Sequence, residues 1–504
     1  MTTASISRLK KIDKKEIEQA VKALNCGIGF DNIQSNHMKF GTASMFILLS
    51  KFFTCILSHS YIPHKMLKGQ IRPLVKNRHG NLNSSNNYRP IMLSSNFLKC
   101  FEYCVLPRLE KYIPLSPRQF GFRKGTSTLM AVTMLKETAL AYTSKGSTVF
   151  ASFLDFSKAF DKVNHFILLL KLIKIKLPPY LVNVLYNMYS NQGVQVYFSG
   201  CISDQWTLKN GVRQGAVISP LLFNFYINDV LNNISSLDFG CKLALRMSNI
   251  QAYADDLVLL APTARGLQQL LDRICTELSA LNLSLNCDKC SCIIFRSRKS
   301  IHQNNPSFYL EKYRLSIVSR YVYLGIFISN NLSITEDVIR CEKSFLRSFK
   351  GFWRYFHYID TGILIYLFKS FCLSFYGSQL WHKKGSLYCM NSISISYHKA
   401  IKKILGVSSI EGNHRVCGMC NLYTFNHLVN RNIIGFSYKL MKSDSPCIYP
   451  YKYFIKNYSA INRDTTELAI RVYDLVSLFD NDFEAIESRI KFVQNREEAF
   501  QGFP

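Results

Sequence analysis

Acidic residues are scarce in this chain: 33 Asp and Glu stand against 62 Lys and Arg in 504 residues, a formal charge of +29. Self-repulsion on that scale calls for a polyanionic partner. Nucleic acid is the natural one, because its phosphates shed counterions as cationic side chains neutralise them. An anionic membrane surface is the competing partner, but it would want an amphipathic basic terminal helix or a lipidation signal, and neither is evident. Long apolar runs are lacking too. Residues 45–57 and 363–376 are the most apolar stretches, and Lys51 and Lys369 break them short of a bilayer span. The first residues turn charged before an apolar stretch forms, so no signal peptide is expected. Internal repeats and low-complexity linkers are also missing.

What is there reads as globular: 48% hydrophobic and 19% charged residues, with length for two or three structural units. Sixteen cysteines, many in apolar surroundings, suit buried thiols in a reducing compartment. Two groups invite a zinc test: Cys287, Cys290 and Cys292, and Cys417 and Cys420 with His414 and His427 nearby. Neither is followed at close range by the second ligand pair that a closed tetrahedral site requires.

Periodicity predicts helices over 8–60, a strand pair at 70–75 and 88–93 around a polar tip, and helices at 94–112 and 127–145. A strand over 149–154 ends at Asp155, and a helix-rich stretch runs to about residue 190. Strands near 194–198 and 205–209, a helix at 220–232, a hairpin at 250–261, a helix at 265–281 and strands at 291–296 and 321–328 follow. Beyond residue 330 the pattern is almost wholly helical. The expected fold class is α+β, with a helical appendage after a mixed catalytic region.

Two segments carry the chemistry. In Ile250-Gln-Ala-Tyr-Ala-Asp-Asp-Leu-Val-Leu-Leu-Ala261, apolar runs flank Asp255 and Asp256, so the segment reads as a hairpin with acids at its tip. An ordinary Asp-rich turn would look the same. In Ala151-Ser-Phe-Leu-Asp-Phe-Ser-Lys-Ala-Phe-Asp161, an apolar strand ends in Asp155, which a plain helix N-cap would also explain. Strand-borne carboxylates from distant segments suit hard divalent cations, and two-metal phosphoryl transfer needs such a clamp.

These two segments, with Gly211-Val-Arg-Gln-Gly-Ala-Val-Ile-Ser-Pro-Leu-Leu-Phe223 between them, resemble the A, B and C motifs of reverse transcriptases. Asn87-Tyr-Arg-Pro-Ile91, Gln119-Phe-Gly-Phe-Arg-Lys-Gly125, Tyr323-Leu-Gly325 and Tyr376-Gly-Ser-Gln-Leu-Trp381 narrow the resemblance to non-LTR (LINE-type, jockey-like) retrotransposon polymerases. It runs from about residue 15 to about residue 440. It implies a right-hand polymerase: a helical extension over 1–60, fingers and palm with an antiparallel sheet over 61–329, a helical thumb over 330–410, and a helical region of unassigned role over 411–504.

The resemblance also implies roles. Asp155 and Asp255 would bind two Mg²⁺ ions, with Mn²⁺ as the alternative, and Asp256 would support them. Phe160 stands where these enzymes place a steric gate against the 2′-hydroxyl; a core phenylalanine is its plainer reading. Arg89 and Lys76 would grip the triphosphate, with Arg72 or Arg78 as alternatives to Lys76. Gln214 and Gly215 would lie beside the incoming nucleotide, Asp161 would be structural, and Lys289 would donate a proton to pyrophosphate. The turn at Tyr323-Leu-Gly325 would support the primer 3′ end.

In 338–356, Val338, Cys341, Phe345, Phe349, Phe352 and Phe356 form one helical stripe, and Arg340, Lys343, Arg347 and Lys350 another. In a thumb, the basic stripe would track the nucleic-acid backbone; elsewhere it would be a solvated face. RNA template, DNA primer or target and dNTPs are the implied partners, in the nucleus, with Arg8-Leu-Lys-Lys-Ile-Asp-Lys-Lys15 as a weak import signal. No endonuclease or RNase H pattern is found, so nicking would come from a longer product or a separate partner. A catalytically inactive binding remnant, a group II intron maturase further off, and an RNA-dependent RNA polymerase, which Phe160 disfavours, are the rival readings.

Overall fold

The computed structural model describes residues 10–243, 246–297, 305–381, 387–443, 445 and 448–449. The start of the basic run at 8–15 and nearly all of 444–504 lie outside the described residues. Elements appear in nearly the expected order. Helices α1 (Lys14–Ala23) and α2 (Ala43–His59) precede strands β1 (Gly69–Val75) and β2 (Tyr88–Ser94). Helix α3 (Asn96–Glu110), α4 (Thr128–Thr143), β3 (Val149–Asp155), α5 (His165–Lys174), α6 (Pro179–Ser190), β4 (Gly193–Phe198) and α7 (Ser219–Tyr226) follow. Next come β5 (Ile250–Tyr253), β6 (Asp256–Ala261), α8 (Ala264–Ala280), β7 (Ser291–Phe295), β8 (Ser316–Ile317), β9 (Arg320–Tyr323) and β10 (Ile326–Ser329). The chain then turns helical through α9 (Thr335–Phe356), α10 (Thr361–Cys372), α11 (Leu387–Leu405) and α12 (Phe425–Lys442).

Local chemistry explains many of the ends. Asp13 and Glu16 form a reciprocal capping box on α1, each side chain accepting from the other's backbone N–H. Ser127 caps α4, and Asp360 caps α10 through the N–H groups of Gly362 and Ile363. No helix among the described residues is long and apolar enough to cross a membrane.

The chain divides into two compact units that interleave: 1–122, 155–233 and 273–286 in the first, 123–154, 234–272 and 287–504 in the second. The sequence had suggested contiguous blocks. Three of the five changes of unit fall inside continuous elements, at the end of β3, within the helix Asn228–Ser235 and within α8, where no composition shift marks them.

In the first unit, β1 pairs antiparallel with β2 and parallel with β4, while Cys201–Ile202 and Trp206–Thr207 flank β4. Helix α3 is buried along much of its length, with Leu98, Phe101, Val105 and Leu109 fully inside. The second unit holds a sheet in the order β8-β7-β3-β6-β5. The central strand β3 is antiparallel to β7, from Phe153 opposite Ser291 to Val149 opposite Phe295. Flanked on both sides, it keeps almost every side chain inside, hence its unbroken run Ala-Ser-Phe-Leu. Asp155, its last residue, is the first residue assigned back to the other unit.

The stripe read from 338–356 is the buried face of α9: Val338, Cys341, Phe345, Phe349 and Phe352 are inside. Phe356 is only partly covered and stacks on the exposed Phe371. Phe345 packs against Phe368, Phe375 and Tyr397, which builds an aromatic core for the helical region.

Candidate active site

The segment after β3 folds tightly. The Asp155 carbonyl accepts from Asn286 N, Ser157 N donates to Ser284 O, and Lys158 takes a left-handed φ of 54° before a 3₁₀ turn over Ala159–Lys162. That turn sets Phe160 on Phe223, rings stacked with centroids 4.6 Å apart. Phe223 is fully buried and Phe160 half-buried. A core phenylalanine would be covered all round; Phe160 is only partly covered.

The loop 211–217 lies against this turn. Gly211 N donates to Val163 O and Val212 N to Phe160 O, both at 2.8 Å. Gly211 has φ +92°, and a Cβ there would sit 2.9 Å from the Asp161 carbonyl oxygen, so glycine is required for the approach. Gln214 Nε2 donates to Asp161 Oδ1 at 2.8 Å, and Gln214 O accepts from Met92 N. Burial pushes the Asp161 carboxyl up, while the bond from Gln214 and the charges of Lys158 and Lys76 pull it down. Asp161 is thus an orienting partner for Gln214.

The same loop is anchored by a pair that sequence reasoning missed. Arg213 Nη2 donates to Glu102 Oε1 at 2.8 Å, both side chains at most 1% exposed, and Val217 N donates to Glu102 Oε2 at 2.6 Å. Tyr189 is fully buried near this pair, and desolvation pushes its phenol up to about 12. Glu102 sits among apolar neighbours on α3 with no local signal of its role. Only an Arg beside a glycine-bracketed loop could have prompted a search for its partner.

The cations of the β1–β2 hairpin fall on one face. Arg72, Leu74 and Lys76 alternate along β1 and just past its end, and Arg89 is paired opposite Leu74. Arg72 lies over the Tyr197 ring at 4.9 Å and bonds Gln70, while Lys76 Nζ donates to Asn86 O. Arg89 is exposed, and its side chain makes no hydrogen bond or ion pair among the described residues. Arg78 lies beyond the paired strands, in the tip.

In the second unit, β5 and β6 form the expected hairpin with Tyr253 paired to Asp256. The two-residue turn is therefore Ala254-Asp255, and Asp256 opens the second strand instead of sharing the tip. The register is set by burial: a slip of one residue would turn both buried faces over. Ala254 carries a φ of 56°, a left-handed conformation that disfavours a side chain. Asp255 and Asp256 are partly exposed. Tyr323 of β9 is fully buried, its phenol pushed up by burial first and then by the Asp256 charge. Lys289 is exposed in the turn leading into β7.

Strand order sets β3, ending at Asp155, beside β6, beginning at Asp256. No group of three or more His, Cys, Asp or Glu side chains that could hold a metal ion forms among the described residues. Mg²⁺ does not demand one, since it is bound through one or two carboxylates with substrate phosphates and water supplying the rest. The hard oxygen donors present fit such an ion. In the two cysteine groups that invited a zinc test, Cys290, Cys292, Cys417 and Cys420 are buried and Cys287 is partly exposed, and burial pushes the Cys417 thiol up to about 11.

On α9, Lys343, Arg347 and Lys350 are exposed as expected of a basic face. Arg340 differs. Its guanidinium bonds Asp337 at 2.8 Å and the Tyr376 carbonyl at 2.9 Å, so its charge is committed within the protein. Helical period alone could not separate it from the other three.

Residues 75–328 match the family model described as reverse transcriptase (RNA-dependent DNA polymerase). The RNA-directed DNA polymerase from mobile element jockey of Drosophila funebris is 26% identical over 395 residues, 75% of this chain and 42% of that one. The retrovirus-related Pol polyprotein from the type-2 retrotransposable element R2DM of Drosophila melanogaster is 31% identical over 247 residues, 48% of this chain and 23% of that one. The probable RNA-directed DNA polymerase from transposon BS of the same fly is 28% identical over 343 residues, 64% and 36% respectively. The chain thus spans well under half the length of these relatives. The matched region covers half of the chain and includes Asp155, Phe160, Gln214, Asp255 and Asp256, and this chain belongs to the reverse transcriptase family.

Proposed function

We propose that the chain is an RNA-directed DNA polymerase of a non-LTR retrotransposon, extending a primer 3′-hydroxyl with dNTPs on an RNA template. The observation that carries this reading is the strand order that sets β3, with Asp155 at its end, beside β6, with Asp256 at its start and Asp255 just before it. Asp155 and Asp255 are the carboxylates assigned to two Mg²⁺ or Mn²⁺ ions, with Asp256 in support. When bound, such ions would lower the cost of charge on the attacking 3′-oxygen and the leaving pyrophosphate.

The chain's own groups do the rest. Arg89, exposed and uncommitted, is the firmest triphosphate ligand, with Lys76 and Arg72 on the same face. Phe160, braced on Phe223, presents a ring that cannot yield to a ribose 2′-hydroxyl. Asp161 aims the Gln214 amide, and Gly215, at φ +103° with a Cβ position 3.3 Å from Met92 O, leaves its loop free of a side chain. Lys289 would hand a proton to pyrophosphate. Lys343, Arg347 and Lys350 would follow the nucleic-acid backbone.

Purified protein with Mg²⁺, a primed RNA template and dNTPs should extend the primer. Asp255→Asn should abolish extension and leave template binding nearly intact, because it removes a metal ligand and no phosphate contact. Equal extension by wild type and variant overturns the site assignment. A wild type that binds but never extends points instead to an inactive remnant. In the same assay Phe160→Ala should raise ribonucleotide incorporation relative to dNTP, and an unchanged ratio removes the gate.

A further inference from the structure

The block Tyr376-Gly-Ser-Gln-Leu-Trp381 has no part in the chemistry above, yet it meets the base of α9 through buried polar groups. Asp337, in the first turn of α9, is 3% exposed. Its carboxylate accepts from Arg340 Nε at 2.8 Å, Trp381 Nε1 at 3.1 Å and Phe327 N of β10 at 3.3 Å. Arg340 Nη2 reaches on to the Tyr376 carbonyl at 2.9 Å. The Tyr376 hydroxyl donates to Leu324 O at 2.9 Å and lies 2.8 Å from Thr128 Oγ1, at the start of α4. Gly377 runs so close that a Cβ would stand 2.8 Å from Asp337 Oδ2, and its φ of +98° excludes most side chains as well.

Leu324-Gly325 is the turn between β9 and β10, with φ of 49° and 78°, the left-handed pair that closes a tight hairpin. One carboxylate therefore fixes α9, β10 and the 376–381 segment, and one phenol ties that segment to the turn. A buried charge is no cheaper than an apolar replacement of the same shape, so what this cluster adds is defined geometry.

We propose that Asp337 and Tyr376 form a latch that holds the β9–β10 turn in register with the base of α9, and so positions the primer–template during successive additions. This rests on the polymerase reading above. Both are positioning residues: they act through the turn and the helix and touch no reacting atom.

The test uses the full chain, a primed RNA template, dNTPs, Mg²⁺ and an excess of unlabelled primer–template as trap. Tyr376→Phe removes only the hydroxyl. It should shorten the product made per binding event about threefold or more and raise KM for primer–template, with the first addition at saturation within about twofold of wild type. Hydrogen exchange over 320–329 should quicken in the same variant. Asp337→Asn places an amide donor against Arg340 or Trp381, so adding Trp381→Phe should restore part of the run length, which a loss of packing alone would not do. Unchanged run length and KM in Tyr376→Phe overturn the proposal, as does unchanged exchange. A wild type that binds primed template and adds nothing overturns the polymerase reading instead, and exchange over 320–329 then decides the latch by itself.

Discussion

Two arginine–carboxylate pairs hold functional segments in this protein, and they differ in how far they are removed from water. Glu102 and Arg213 are 111 positions apart, both within 1% of complete burial, and the glutamate's second oxygen holds Val217 N. Asp337 and Arg340 are three apart on one helix, with the aspartate side chain 4% and the arginine side chain 25% exposed. The first pair closes a long stretch of chain onto the 211–217 loop and has no recourse to solvent. The second organises neighbouring elements and keeps part of its guanidinium in water. The same guanidinium–carboxylate pairing thus serves in one place as a fully desolvated clamp and in the other as a partly hydrated hinge pin.

The sharpest way to break that contrast is to remove each acid. Glu102→Ala strands a buried guanidinium and should cost about 3–5 kcal/mol of folding stability. Asp337→Ala leaves Arg340 able to turn towards water and should cost less, about 1–3 kcal/mol. Urea unfolding of the two variants beside wild type measures the difference. Equal costs would mean that burial does not separate the pairs. Loss of primer extension in Glu102→Ala at a temperature where it is still folded would place the effect in the loop and not only in stability.

The glycines beside each pair give a second, smaller contrast. Gly215→Ala meets the Met92 carbonyl at 3.3 Å, and Gly377→Ala meets Asp337 Oδ2 at 2.8 Å, both from left-handed backbone. Each should destabilise by about 1–3 kcal/mol, with Gly377→Ala the worse of the two. The reverse order would show that the Asp337 side chain gives way more readily than the Met92 backbone.

Much of this was legible in the chain. The apolar run ending at Asp155, the hairpin around Asp255 and the stripe through Phe345 are set by local pattern, because strand and helix periods follow directly from backbone geometry. Three things were not legible. Glu102 gave no sign of Arg213, since a helix position says nothing about a partner a hundred residues away. The hairpin tip shifted by one residue because Ala254, not an aspartate, takes the left-handed conformation, and tertiary register overrode turn propensity. The Asp337 cluster was hidden because a first-turn acid is expected at any helix N-terminus.

Arg340 and its neighbours on α9 supply the smallest effect and the finest separation. Lys343, Arg347 and Lys350 are exposed, so replacing any of them by Ala should move stability by no more than about 0.5 kcal/mol. Each should lower the slope of log K against log salt for primer–template binding by about one, as a lost phosphate contact does. Arg340→Ala should do the opposite on both counts, costing stability while leaving the salt slope almost unchanged, because its charge already faces Asp337. Filter binding across a salt series, with unfolding curves of the same four variants, distinguishes them. If Arg340→Ala flattens the slope as much as Lys343→Ala, its guanidinium reaches nucleic acid and the hinge-pin assignment fails. If none of the four changes the slope, the basic face of α9 is merely solvated, and the +29 charge acts elsewhere on the surface.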